Sequence, residues 1–230
     1  MNTLSSLLLA ATLSLPSLPM GNRDKQVEKV NASTEILSQF GQMKGNLPAT
    51  LIRVTEGIVI IPELINAGIG LAGKRGKGIA MVKEADGSWS DPVFVSLTGG
   101  SFGLQAGVQS VDLVLVFRNR RTLTNLMTNS INLGGDVSVA AGPFGRNVTA
   151  ATDAKLDAEI YSYSKAIGLF AGISLSGSVL AIDQKATRSY YDEPVGGTWF
   201  DEPRRGASGV TIPAASEAAA LKQTLMHLFE

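Results

Sequence analysis

Two glycine-punctuated stretches between Leu133 and Asp183 constrain the fold of this chain more than any other feature. In the second stretch, residues 168–183, apolar side chains alternate with glycine or serine, which is the period of a β-strand. The first stretch, residues 133–146, alternates in a similar way until Gly142-Pro143 gives a turn signal. We therefore expect two strands, each with one apolar face and one nearly bare face. The bare face admits a helix, a neighbouring backbone or a ligand, or it only serves close packing and bulges.

The composition indicates a globular protein with one substantial core. The chain has 230 residues, of which 44% are hydrophobic and 17% are charged. Its 20 basic and 20 acidic residues cancel, so no global field attracts nucleic acid, and any membrane binding must come from a local patch. There are no cysteines, which excludes disulfides, thiol nucleophiles and cysteine metal sites. We expect no nucleic-acid partner.

The first twenty residues resemble a secretory signal peptide. Residues 1–20 are apolar, contain no acid and precede a charged segment. Pro16 and Pro19 make this segment a poor membrane-spanning helix. A cleaved signal predicts a periplasmic or secreted protein, with membrane association left open. An uncleaved anchor and a disordered or locally packed tail are the alternatives.

The rest of the chain alternates between helical and strand-like periods. The predicted elements are a helix at 24–42, a helix at 49–56 capped by Asn46, strands within 57–97 around an Asp86-Gly87 turn, strands within 99–117, a helix capped by Asn119, and a last helix from Pro213. Leu113–Phe117 is apolar at every position, which predicts a central strand covered on both faces.

Two basic clusters are candidate phosphate sites. They are Lys74, Arg75 and Lys77 in a glycine-rich run, and Arg118, Arg120 and Arg121 at the start of a predicted helix. Backbone N–H groups of a glycine-rich run can hold phosphate together with cations. Cations at a helix N-terminus oppose the macrodipole, so helix stability does not explain the arginines. The alternatives are a solvated basic turn for the first cluster and ion pairs with Asp or Glu for the second.

The sequence offers little to an enzyme. The single histidine, His227, lies in the last predicted helix, where we expect it at the surface, and no G-x-S-x-G motif is present. Asp153, Asp157 and Glu159 lack EF-hand spacing, so we interpret them as a solvated charged segment. We therefore predict no catalytic residue, no metal and no cofactor. A pocket that gathered these three carboxylates around a metal would reverse that prediction.

The stretch from about Leu47 to Asp192 resembles a SYLF domain, a lipid-binding module of eukaryotic actin-associated adaptors and bacterial exported proteins. The motifs that carry the resemblance are GKGIA at 76–80, GSWSDPVF at 87–94, GGSFGLQAG at 99–107, DLVLVF at 112–117, AAGPFGR at 140–146, IYSYSKAIGLFAGISLSGSVL at 160–180 and Tyr190-Tyr191. The resemblance implies a β-rich α+β domain without catalytic activity that binds acidic phospholipids, and phosphoinositides in the eukaryotic members. Some of those members also bind actin.

In two respects this chain departs from the eukaryotic members. Its signal-like N-terminus argues against actin as a partner. Its segment at 24–42 carries balanced charge, whereas a basic amphipathic N-terminal segment is associated with lipid contact in those members. The two internal basic clusters are therefore the predicted lipid-headgroup site.

We expect an α+β fold with a mainly antiparallel β-sheet, as a sandwich or a partial barrel, and a few packed helices at the N-terminus, middle and C-terminus. The predicted boundaries are a signal-like segment at 1–20, an amphipathic helix at 21–46, a SYLF-like domain at 47–192, and an irregular segment with a C-terminal helix packed on the same domain at 193–230. The predicted function is non-catalytic binding of anionic phospholipid headgroups at a membrane surface. The alternative is a structural or protein-interaction module of the cell envelope without lipid binding.

Overall fold

A computed structural model describes residues 22–43, 45, 47–126, 128–143, 157–166, 169–172, 175–191 and 216–229. In this part of the chain the helices are α1 (Asn22–Gly41), α2 (Ala49–Arg53), α3 (Arg120–Asn125), α4 (Gln184–Tyr191) and α5 (Ser216–Phe229). The strands are β1 (Gly57–Val82), β2 (Val93–Phe117), β3 (Ile131–Leu133), β4 (Val139–Ala141), β5 (Ile160–Ala166), β6 (Leu169–Gly172) and β7 (Ser178–Ile182). The signal-like segment, Asn46, Asp153 and Pro213 lie outside the described residues.

One mixed but mainly antiparallel sheet contains all seven described strands. β1 pairs with β2 along almost its whole length. The other edge of β2 pairs with β7 at Val95–Gly99 and with β5 at Asp112–Phe117. β3 continues the sheet beyond β7, β6 also pairs with β5, and β4 lies beside β5 as the parallel pair. The predicted α+β class is confirmed.

β1 folds back on itself, so the sheet is nearly closed. The N–H of Lys83, just after β1, donates to the carbonyl oxygen of Glu56, just before it, at 2.8 Å. A Cβ added to Gly78 would overlap the Ile60 carbonyl oxygen and lie 2.8 Å from the Ile61 Cα. The pairing with β2 shifts register between Ile61 and Leu64, and there Glu63 has a φ of 53°. A bulge of this kind bends a strand sharply.

The fold-back divides β1 into two limbs and an arch. Residues 57–64 form the first limb and residues 76–82 form the second limb, and the two limbs lie against each other. We call residues 65–75, with their partners on β2 at 98–110, the arch. A second register shift, between Ile69 and Leu71, lies within the arch.

The curved sheet buries apolar side chains on both faces, as its period of two requires. On the inner face, Leu113, Leu115 and Phe117 join a cluster with residues of β1 and β7. On the outer face, Val114 and Val116 pack in a second cluster beneath the helices. Leu113–Phe117 is thus at most 1% exposed throughout, and the prediction of a central strand covered on both faces is confirmed.

Helices cover the outer face and one end of the sheet. α1 buries Val30, Leu37 and Phe40, as its period predicts. α5 buries the predicted face of Ala218, Leu221, Leu225 and Leu228. α3 instead joins the inner cluster through Leu123. In α4, the Tyr190 ring packs against Phe94 with the ring centroids 5.2 Å apart, and His227 of α5 is exposed as predicted.

The structure corrects two local predictions. The stretch at 168–183 is not one strand, because Gly177 adopts a left-handed φ of 81° and the turn there separates β6 from β7. These strands pair with different neighbours, β5 and β2. The helix predicted at 49–56 ends at Arg53, and Pro48 is its N-cap residue, without a side-chain cap. The turn at Asp86-Gly87 is confirmed, with Gly87 at a φ of 85°.

We predict that Gly78→Ala destabilises the protein by about 3 kcal/mol or more, because the added methyl group meets backbone atoms that cannot move aside cheaply. Gly73→Ala is the matched control on the same strand, since a Cβ there has no atom within 4 Å, and should change stability by about 0.5 kcal/mol at most. Urea unfolding midpoints measure both effects. Equal midpoints for the two variants would contradict the fold-back.

Candidate functional site

The arginines of the second basic cluster are largely committed to the protein itself. The Arg120 guanidinium donates to the Glu84 carboxylate and to the Lys83 carbonyl oxygen, each at 2.9 Å. The Arg118 guanidinium donates to the Ala158 carbonyl oxygen at 3.1 Å. For Arg120, the alternative of an ion pair within the fold therefore describes the structure. Arg121 is exposed, and its backbone N–H donates to the Asn119 side chain, which confirms the predicted cap.

The first basic cluster lies on the second limb of β1 and just before it, paired with the start of β2. Lys77 forms an ion pair with Asp183, with Nζ and Oδ2 2.6 Å apart. Lys74 is half-buried, and Arg75 is exposed without an ion pair among the described residues. From Lys77 to Lys83, where Arg120 binds, the extended chain covers about 20 Å. The structure therefore places the two clusters at opposite ends of this limb, and the six-residue site stays a prediction.

A groove beside Lys77 brings in cations that sequence reasoning missed. It has a volume of about 390 Å³ and lies between α1, the second limb of β1 and the start of α4. Lys25 and Lys29 of α1 line it together with Lys77. These two lysines are four residues apart and therefore share one face of the helix. That spacing was the available signal, but the balanced charge of the whole segment concealed it.

We call this space the lysine groove. Its charged lining consists of Lys25, Lys29 and Lys77 against Glu28 and Asp183, so cations exceed anions. The lining also includes Gly78 and Phe94. An anionic group of headgroup size that enters the groove would meet three lysine side chains and compete with two carboxylates, of which Asp183 already pairs with Lys77.

A second groove of about 310 Å³ continues along α1 past the first limb of β1. It shares Lys25, Glu28 and Lys29 with the lysine groove. Its other charged side chains are Glu35, Glu63, Asp112 and Lys165, and Lys165 donates to Gln39 of α1. The cationic character is therefore confined to the end near the N-terminus of α1.

Any anion that enters the lysine groove would compete with Asp183 for the ammonium group of Lys77. Burial raises the pKa of Asp183, but the hydrogen bond from Lys77, the Ala186 N–H and the positive charges of Lys77 and Lys185 outweigh it. The net result is a pKa below the ordinary value of 3.8. Lys77 is thus held at the groove by an anion that another anion can replace.

Within the described ranges, no group of three His, Asp or Glu side chains is placed to hold a metal ion. Asp153 lies outside those ranges, and the Glu159 carboxylate accepts a hydrogen bond from Thr122 at 2.7 Å. The described helices include none with the length and hydropathy to cross a membrane.

Comparison with known proteins finds one matching family model and several curated relatives. A family model described as "Las17-binding protein actin regulator" matches residues 98–198. The bovine SH3 domain-containing YSC84-like protein 1 is 32% identical over 182 residues, which make up 79% of this chain and 53% of the relative. LAS seventeen-binding protein 3 of Saccharomyces cerevisiae is 31% identical over 172 residues, 74% of this chain and 37% of the relative. An SH3 domain-containing protein of Schizosaccharomyces pombe is 38% identical over 148 residues, 63% of this chain and 34% of the relative.

These relatives correct one prediction. The chain spans about half of the bovine relative and about a third of the two yeast relatives. The description of the matched family and the name of the budding-yeast relative refer to binding and regulatory proteins rather than enzymes. The prediction against an actin partner, drawn from the signal-like N-terminus, is wrong, because the matched family is described as an actin regulator and a relative is named for binding Las17.

We predict that Lys77→Met raises the pKa of Asp183, because burial then acts without the hydrogen bond and charge of Lys77. The pKa of Asp183 is lower in the folded protein than in the unfolded chain. The ion pair therefore stabilises the folded protein fully at a pH above the unfolded-state pKa of Asp183, and this stabilisation is lost as the pH falls through the folded-state pKa. For a half-exposed pair this contribution is at most about 1 kcal/mol. Carboxyl NMR titration measures the pKa, and Arg121→Met, at the other end of the limb, should leave it unchanged.

Proposed function

The chain belongs to the SYLF domain family, and we propose that it is a non-catalytic binding module whose lysine groove holds anionic phospholipid headgroups at a membrane surface. The observation that carries the proposal is the convergence of Lys25, Lys29 and Lys77 on one headgroup-sized groove. These residues come from two distant parts of the sequence, so their convergence is a property of the fold.

Simple electrostatics sets the expected strength of this contact. Each Lys or Arg near an anionic membrane surface contributes about 1 kcal/mol, so three lysines supply about 3 kcal/mol. Arg75, exposed just before the second limb, adds to this attraction. Lys77 can exchange the Asp183 carboxylate for a lipid phosphate without leaving the groove. Arg75 and Lys77 thus keep their proposed role from the sequence-predicted site, whereas Arg118 and Arg120 have partners inside the fold.

Export through residues 1–20 is a separate proposal that rests on sequence alone. A mature protein that begins near residue 21 in a periplasmic or secreted fraction would support it. N-terminal sequencing that finds Met1 in the purified native protein would contradict cleavage, without bearing on the lysine groove.

We predict that Lys25→Gln/Lys29→Gln/Lys77→Gln lowers partitioning onto phosphatidylserine-containing vesicles about a hundredfold at low salt, as the loss of three cations near the surface implies. Sedimentation with vesicles measures the partitioning. Raising the salt concentration should weaken wild-type binding, because the screening length shortens.

A control triple removes the same charge from the opposite end of the second limb. Arg53→Gln/Lys83→Gln/Arg121→Gln changes three side chains outside the groove lining, and two of them, Lys83 and Arg121, are next in sequence to Glu84 and Arg120. It includes Arg121, so it also tests the second predicted cluster. We expect nearly wild-type binding. Equal losses of vesicle binding from the two triple variants would contradict a specific role of the lysine groove. Binding would then reflect only non-specific attraction to the net charge of the protein.

A protein partner of the actin-regulatory kind is the second candidate function, favoured by the description of the matched family and the name of the budding-yeast relative. The second groove suits a protein surface better than a membrane, since its lining mixes Glu35, Glu63 and Asp112 with lysines. Co-sedimentation of the chain with actin filaments tests this function. Binding to filaments but not to vesicles would favour it over lipid binding.

A further inference from the structure

Two large apolar side chains of the arch are highly exposed. Among the described residues, the two most exposed large apolar side chains are Val108, at 79%, and Ile65, at 48%. Ile65 pairs with Ser110 and Ala67 pairs with Val108 in the β1–β2 ladder. Side chains two apart on a strand share a face, so Ile65 and Val108 are diagonal neighbours. Their neighbours Leu64 and Val111 belong to the inner cluster, so this pair lies on the outer face.

Apart from Lys74 and Arg75 at its end, the arch contains no charged residue. No charged residue occurs at 64–73 on β1 or at 92–111 on β2. The edge of β2 that faces away from β1 pairs with β7 and with β5. Between those two segments, at residues 100–111, this edge meets no further strand in the described part of the chain. Exposed edges are normally protected by lysine, proline or inward-pointing charge. An uncharged, partly apolar surface of this kind indicates that something covers it in use.

The charges at the base of the arch indicate what covers it. Arg75 and Lys77 follow the uncharged run on β1, and Lys25 and Lys29 line the lysine groove with Lys77. Glu63 and Asp112 border the uncharged runs at their other ends, so the base of the arch has a cationic side and an acidic side. Apolar side chains with cations along one side of their base match the layers of an anionic bilayer surface that approaches from that side, where headgroup phosphates lie above the acyl chains. The edge of β2 at 100–111, which meets no further strand among the described residues, limits the depth, because backbone groups without partners do not enter the hydrocarbon core.

We propose that the outer face of the arch, centred on Ile65 and Val108, enters the headgroup and upper acyl region of an anionic bilayer while the lysine groove binds phosphates beside it. The inference rests on the proposed lipid-binding function and assigns it a second, apolar contact. Binding then has two components. The ionic component weakens with salt, and the apolar component does not.

The absence of cysteine makes insertion directly measurable. Val108→Cys places one thiol on the arch, and Met226→Cys places one on α5, where Met226 is 39% exposed. Each variant is labelled with an environment-sensitive fluorophore and mixed with vesicles of phosphatidylcholine with or without phosphatidylserine. We expect a blue shift, and quenching by lipids brominated near the headgroup, for the label at 108 on anionic vesicles only. The label at 226 should not respond.

Substitutions at Val108 separate the apolar insertion of the arch from the ionic attraction of the lysine groove. Val108→Asp, at a highly exposed position that should tolerate it, is expected to lower vesicle binding at high salt about tenfold. The lysine triple should instead lose mainly the binding seen at low salt. Val108→Thr, which keeps the branched shape and remains neutral, should retain most of the binding.

Each contrary result overturns a distinct claim. If wild-type protein sediments with anionic vesicles while the label at 108 gives no response, the arch does not insert, and the lysine groove alone accounts for binding. If the label responds to protein concentration without vesicles, the arch is an interface between copies of this chain, and insertion is again wrong. If wild-type protein does not sediment with any vesicle, the lipid-binding function itself fails.

Discussion

The contact between the two limbs of β1 is the constraint on which the rest of the structure depends. Gly76 and Gly78 face Ile60 and Ile61 so closely that a Cβ on Gly76 would lie 2.5 Å from the Ile61 Cγ2 atom, and one on Gly78 would overlap backbone. This approach curls the sheet, separates the inner cluster from the outer cluster and creates the arch. Lys77 stands between the two glycines, so the contact that closes the sheet also fixes the position of its ammonium group beside α1.

The sequence predicted what depends on neighbours along the chain and missed what depends on the fold-back. Apolar period alone gave the buried faces of α1 and α5 and the two-sided burial of Leu113–Phe117. The run Gly73–Gly78 by itself predicts a basic turn or a phosphate loop, because glycine-rich runs with cations favour both. In the structure it enters the second limb of a long strand, since only glycine permits the contact with Ile60. No local pattern shows that Lys77 will meet Lys25 and Lys29.

The two basic clusters illustrate why a run of cations is a weak indicator of a binding site. Arg120 has a planar group with several donors, and it binds the Lys83 carbonyl and the Glu84 carboxylate together. It thereby ties the start of α3 to the end of β1, beside the Leu123 side chain that closes the inner cluster. The Lys77 side chain, in contrast, is largely exposed, and its ammonium group pairs with one carboxylate, that of Asp183, which another anion can replace. The same net charge therefore stabilises the fold at one end of the limb and remains available to ligands at the other.

The position of α1 determines how ionic and apolar contacts could act together. The helix lies across both limbs on the outer face, and its side chains line both grooves just below the arch. A flat anionic surface that reached Val108 would therefore also approach Lys25 at the N-terminal end of α1, while the Glu63 and Asp112 side of the second groove would repel it. Such a surface would approach with a tilt toward the second limb. A partner with both positive and negative groups would not need to tilt in this way, because the second groove presents acidic side chains and lysines side by side.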